Sequence, residues 1–261
     1  MKTTSRIFLS SLLAIALILT TAMGSYAGTI NHGNFAGTDV AYLTVTESST
    51  TDPVPLFGTP VVVGNQMRFF EPVPLPNPSL GFGAFSVGGV ADVTDGFLSF
   101  MVRSRPGLGI GLIRFDEGGD YGLAGFAPAQ AKVIARLLVD SIRIDEVSGV
   151  PVAPFSISGA TMFMDSLPET PPPFWSNTLG FNVQAALTAN GYPLTSAATK
   201  ITVRLNNNLQ ALSQANSVAN IVKKRFNVDI DTRIDRDFIP EPSSMVLAMV
   251  SMIALASSRR R

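Results

Sequence analysis

One histidine, His32, and no cysteine occur in the 261 residues, so little side-chain chemistry is open to the chain. A Ser-His-Asp arrangement or a multi-histidine metal centre would have to be built on that single imidazole. It falls in a Gly/Asn-rich stretch, Asn31 to Asn34, that reads as a turn. No G-x-S-x-G, H-E-x-x-H or Walker loop occurs. Carboxylate pairs of the glycosidase kind leave no spacing to read, because two acids can meet in space from anywhere in the chain. The acids here stand mostly in turns or alternating strands, where solvation accounts for them. The expectation is a chain that is not an enzyme, with no catalytic residue, no metal site and no cofactor.

Two constellations could bind rather than react. In Val228 to Phe238, Asp229, Asp231, Arg233, Asp235 and Asp237 share one face of a period-two strand, with Val228, Ile230, Ile234 and Phe238 on the other. Four carboxylates could collect Ca²⁺ weakly outside a cell, but strand side chains diverge and Arg233 interrupts the row, so a solvated face is expected. The second is the aromatic pair Phe174-Trp175, which ends the proline loop Leu167 to Trp175. An exposed Trp175 could stack on a sugar ring, with Phe174 beside it; burial of the indole to anchor the loop is the alternative expectation.

The elements that must position these residues read as all-β. Ala41 to Thr46, Gly96 to Arg103, Ile110 to Phe115, Ser156 to Met164 and Lys200 to Leu205 carry apolar residues at period two or in short runs between turn formers. Lys132 to Val147 reads mainly as strand, and Phe181 to Leu187 as a further one. Asp116-Glu117-Gly118-Gly119-Asp120 predicts a tight turn between Phe115 and Tyr121. Ser213 to Asn216 reads as a loop, with a short helix around Ser217 to Lys224. Glu71 to Pro78 is a proline-rich loop that cannot sit inside a sheet. Short strands at this spacing predict one β-sandwich or jelly-roll-like domain over residues 28–238.

The ends carry addresses. Lys2 and Arg6, the apolar run Ile7 to Leu19, and Ser25-Tyr26-Ala27 form a secretory signal peptide, residues 1–27. At the other end, residues 239–261, come Pro240-Glu241-Pro242, the uncharged run Met245 to Ala256, and Arg259-Arg260-Arg261. The run is short of the ~20 apolar residues of a straight membrane span, and the flanking serines with snorkelling arginines narrow the deficit. The arginines hold their end on the cytoplasmic side, which leaves Pro240 to Pro242 outside, extended by its prolines. Removing the five basic residues of both ends leaves 14 basic against 19 acidic residues, a net charge of −5. Nucleic acid is therefore not an expected partner. Without cysteine, the body must hold together outside the cell without disulfides.

This tail resembles the PEP-CTERM sorting signal of bacterial exopolysaccharide-associated proteins. The resemblance implies that a membrane protease of the exosortase type recognises Pro240, Glu241 and Pro242, while Met245 to Ala256 anchors the substrate transiently and Arg259, Arg260 and Arg261 stop export. It further implies a surface or matrix protein with a structural or adhesive role in the exopolysaccharide layer. A carbohydrate-binding module holding matrix glycans through Trp175 and Phe174 is the alternative expectation, and a glycoside hydrolase, which would require two carboxylates facing each other in a cleft, is the third.

Overall fold

A computed structural model describes residues 28–70 and 81–234. The signal peptide, the Glu71 to Pro78 loop, and the sorting tail with Asp235, Asp237 and Phe238 lie outside the described residues. What is described is all-β, with one short helix.

Twelve antiparallel strands run through these residues: β1 (Gly28–Ala36), β2 (Val40–Ser49), β3 (Val61–Val63), β4 (Gln66–Phe69), β5 (Gly83–Val87), β6 (Ala91–Ser104), β7 (Leu108–Gly125), β8 (Ala131–Val147), β9 (Val150–Ser166), β10 (Phe174–Asn182), β11 (Ala198–Ser213) and β12 (Ser217–Ile234), with helix α1 (Val183–Ala189) after β10. Pairing divides them into two groups. One runs β1-β2-β6-β11-β8-β9; in the other β7 lies between β10 and β12, and the far edge of β12 is shared by β5 and by the hairpin β4-β3. Among the described residues, the one pairing between the groups is Ala198 with Ile110. The sheet thus folds over on itself at a single bridge, into a shape close to a barrel.

Period-two alternation builds the core between the two groups. Val133, Ala135, Leu137 and Val139 of β8, and Ile201, Val203 and Leu205 of β11, point inward and are fully buried or nearly so. From the opposite side come Met67 and Phe69 of β4, Ile113 and Phe115 of β7, and Phe226 and Val228 of β12. Tyr42 anchors one end: its hydroxyl donates to the carbonyls of Asn65 and Val228, and burial foremost pushes its pKa well up.

Three expectations are corrected. Asp116 to Asp120 is no turn; it is the middle of the 18-residue strand β7. Glu117 continues the inward row of Ile113 and Phe115, and the glycines serve close approach instead. A Cβ on Gly119 would lie 1.9 Å from the Val222 carbonyl oxygen, and one on Gly118 would lie 2.8 Å from that of Trp175. The helix expected over Ser217 to Lys224 is strand β12. Its inward row, Ser217, Ala219, Ile221 and Lys223, is buried at period two, but a serine and a lysine in that row hide the alternation. The strand expected over Phe181 to Leu187 ends at Asn182, where α1 begins. The Asn182 side chain caps the helix by accepting from the Ala185 amide at 2.8 Å, while Val183 and Leu187, one turn apart, bury its apolar side.

Candidate functional site

The two central strands β7 and β12 bring together residues that lie 106 positions apart. Glu117 and Lys223 have fully buried side chains, and Lys223 Nζ lies 2.6 Å from Glu117 Oε2. The same oxygen accepts from Asn207 Nδ2 of β11 at 2.5 Å, and Oε1 accepts from Asn177 Nδ2 of β10 at 2.8 Å. Three donors from three strands thus converge on one carboxylate, which is what a buried charge requires.

Around the ammonium stand four rings: Phe82 at 4.6 Å from Nζ, Phe226 at 5.3 Å, Phe57 at 5.6 Å and Trp175 at 5.8 Å. Ring faces attract a cation and gain strength when water is excluded. Burial pushes the Lys223 pKa down, and the Glu117 carboxylate beside it pulls it back up. The net direction is down.

A second buried carboxylate holds one of those rings in place. Glu47 of β2 is fully buried and accepts from the backbone amides of Leu56, Phe57 and Gly58, and it lies 2.9 Å from His32 Nε2. Its role is to tie down the proline-rich segment that delivers the Phe57 ring. His32 accordingly sits in β1, beside a register shift at Gly33 (φ +91°), and not in a turn. Both carboxylates contradict the expectation that solvation accounts for the acids. An acid that continues an apolar inward row, as Glu117 follows Ile113 and Phe115, is the sequence signal that marks it.

Above this cluster the surface opens into a cleft of about 460 Å³ lined by Gly118, Gly119, Asp120, Phe174, Trp175, Ser176, Lys224 and Arg225. The register of β12 against β7 shifts between Lys223 and Arg225. One extra residue breaks the alternation, so Lys223 points inward while both Lys224 and Arg225 reach solvent. Lys224 pairs with Asp120 across the cleft. Among the described residues, Arg225 has no ion pair.

The aromatic pair divides. Trp175, offered from sequence as a glycan contact, is 3% exposed: it stacks on Phe163, donates from Nε1 to the Val222 carbonyl at 3.2 Å and borders the Lys223 cage. That contact is corrected, because the indole face is packed inside. Phe174, on the other side of the strand, is 64% exposed at the cleft. Of the aspartate row, Asp229 lies 3.6 Å from Arg114 Nη2, Asp231 is exposed and Arg233 donates to the Ser196 and Leu194 carbonyls. The sorting residues Pro240, Glu241, Pro242, Arg259, Arg260 and Arg261 fall outside the described residues, and no helix among the described residues is long and apolar enough to cross a membrane.

No family model and no curated protein matches the chain. Among solved structures it is similar to TmCBM61 in complex with β-1,4-galactotriose, at 12% identity over 69% of this chain and 90% of that one, with a TM-score of 0.21. It is also similar to the family 11 xylanase of Neocallimastix patriciarum (9% identity, 78% and 100% of the chains, TM-score 0.18) and to the family GH12 endoglucanase 3 of Trichoderma harzianum (10%, 79% and 98%, TM-score 0.19). The presence of these two hydrolases contradicts the expectation that the chain is not an enzyme, and that expectation is withdrawn. Likeness this distant transfers neither substrate nor residues.

Proposed function

We propose that the protein is an exported surface or matrix protein of the PEP-CTERM type, whose jelly-roll-like body holds an acidic glycan of the exopolysaccharide in the cleft beside Phe174. The observation that carries the glycan reading is the exposed Phe174 ring standing next to Arg225 and the Asp120–Lys224 pair in one open cleft. An aromatic face covers the apolar side of a sugar ring, while neighbouring polar groups take its hydroxyls and an unpaired guanidinium takes a carboxylate. The floor supports this: Gly118 and Gly119 carry no side chain that would fill the cleft, and the Trp175 ring is packed beneath it.

Affinity electrophoresis through acidic and neutral polysaccharides tests it. Phe174→Ala weakens binding about five- to tenfold, the scale of one aromatic contact. Arg225→Ala weakens binding to the acidic polymer alone, and added salt mimics it. Retardation of both variants equal to wild type contradicts the reading.

The sorting reading rests on the Pro240-Glu241-Pro242, apolar and arginine sequence of the tail. In it, a membrane protease cuts near the proline bracket and frees the body to the exterior.

A further inference from the structure

The Glu117 cluster holds the parts for a covalent bond between side chains. Lys223 Nζ and the Asn207 amide both bind Glu117 Oε2, at 2.6 and 2.5 Å, so one carboxylate oxygen holds the amine and the amide nitrogen no more than about 5 Å apart. All three side chains belong to residues no more than 2% exposed. Asn207 Oδ1 is also buried with no hydrogen-bond partner, a cost that native structures rarely carry. Turning the amide over exchanges Oδ1 and Nδ2 and aims the carbonyl oxygen at Glu117.

We propose that Lys223 and Asn207 join in a self-formed isopeptide bond, with Glu117 as the proton carrier. Nζ gives a proton to the Glu117 carboxylate, and the resulting acid donates to Asn207 Oδ1. The Nζ lone pair then adds to Cγ, and the carbonyl electron pair moves onto Oδ1. A second Nζ proton passes by way of Glu117 to Nδ2. The carbonyl re-forms, the Cγ–Nδ2 bond breaks and ammonia leaves. The leaving ammonia takes the remaining proton from Glu117 as ammonium, so Lys–NH₃⁺ and the Asn amide become one secondary amide and NH₄⁺, with no oxidant or reductant. Exclusion of water by the four rings favours the neutral amine that must attack, as for other desolvated lysine nucleophiles, and protects the product from hydrolysis.

The bond would tie β11 to β12 across the core. Among the described residues those strands belong to two groups that pair only through Ala198 and Ile110, in a chain without a cysteine to cross-link them.

Sequence makes the test direct. No lysine or arginine lies between Arg204 and Lys223, so trypsin releases Leu205–Lys223 from denatured, unmodified full-length protein. The cross-linked form resists cleavage after Lys223 and yields Leu205–Lys224, lighter by one ammonia (about 17 Da) with the linkage closing a ring. Fragmentation of that peptide gives no ions from breaks between Asn207 and Lys223. A succinimide at an asparagine has the same mass loss but leaves Lys223 cleavable, and that outcome counts against the bond. Glu117→Gln should release Leu205–Lys223 at full mass, and Asn207→Asp should close the same ring with loss of water. Leu205–Lys223 at full mass as the sole product of the wild type overturns the proposal, whether or not the variants fold.

Discussion

At the scale of single residues, the molecule spends its polar groups on pinning irregular chain. Asp165 shows the pattern. It accepts from the Tyr121 hydroxyl at 2.6 Å, from the amides of Ser166 and Thr170, and from the Thr170 hydroxyl, so it holds the start of the proline loop that leads to Phe174. Burial would raise its pKa, but these donors together hold it below the ordinary value of 3.8. Burial and the same hydrogen bond push the Tyr121 pKa up to about 12. For a carboxyl whose folded pKa is depressed, the unfolded chain binds more protons, so its stabilisation is present above 3.8 and is lost as pH falls through the lower folded value. The Tm gap between wild type and Asp165→Asn is therefore expected to be full at neutral pH and to close on acidification below the ordinary carboxyl value. A gap that stays constant across that window contradicts this.

At the scale of elements, two glycines decide how closely β7 is flanked. A Cβ on Gly119 collides with the backbone of Val222, which cannot move aside as a side-chain tip can. Gly119→Ala is expected to lower stability by about 1–3 kcal/mol or more in urea unfolding, as overpacking does. Gly180→Ala in β10 meets nothing within 4 Å and should change stability by less than about 0.5 kcal/mol. Equal effects of the two would show that close approach is not what Gly119 provides. The same strands mark the limit of what the sequence revealed. Where the inward row stays apolar over a whole stretch, as from Val133 to Val147 in β8, Leu98 to Val102 in β6 and Ile201 to Leu205 in β11, alternation made the strands legible. In β7 and β12 the inward rows contain Glu117, Ser217 and Lys223, and these polar residues mimic a turn and a helix. The Phe174-Trp175 pair stood out in the sequence as a candidate glycan contact, but which ring faces solvent was not legible, since that depends on where β10 enters its register with β7, at Phe174 opposite Asp120.

At the scale of the whole molecule, a cysteine-free all-β body is flanked in sequence by two segments that read as addresses, and its cleft exposes an aromatic face and an arginine to solvent. In the proposed function export and glycan capture depend on each other, because an acidic polysaccharide would meet the cleft only if the body is released into the matrix. The intact mass of the protein recovered bound to extracellular polysaccharide tests both at once. The account predicts a chain beginning near Gly28 and ending close to Pro240–Pro242. A polysaccharide fraction that lacks the protein, with the whole population in the membrane and still ending at Arg261, would contradict it.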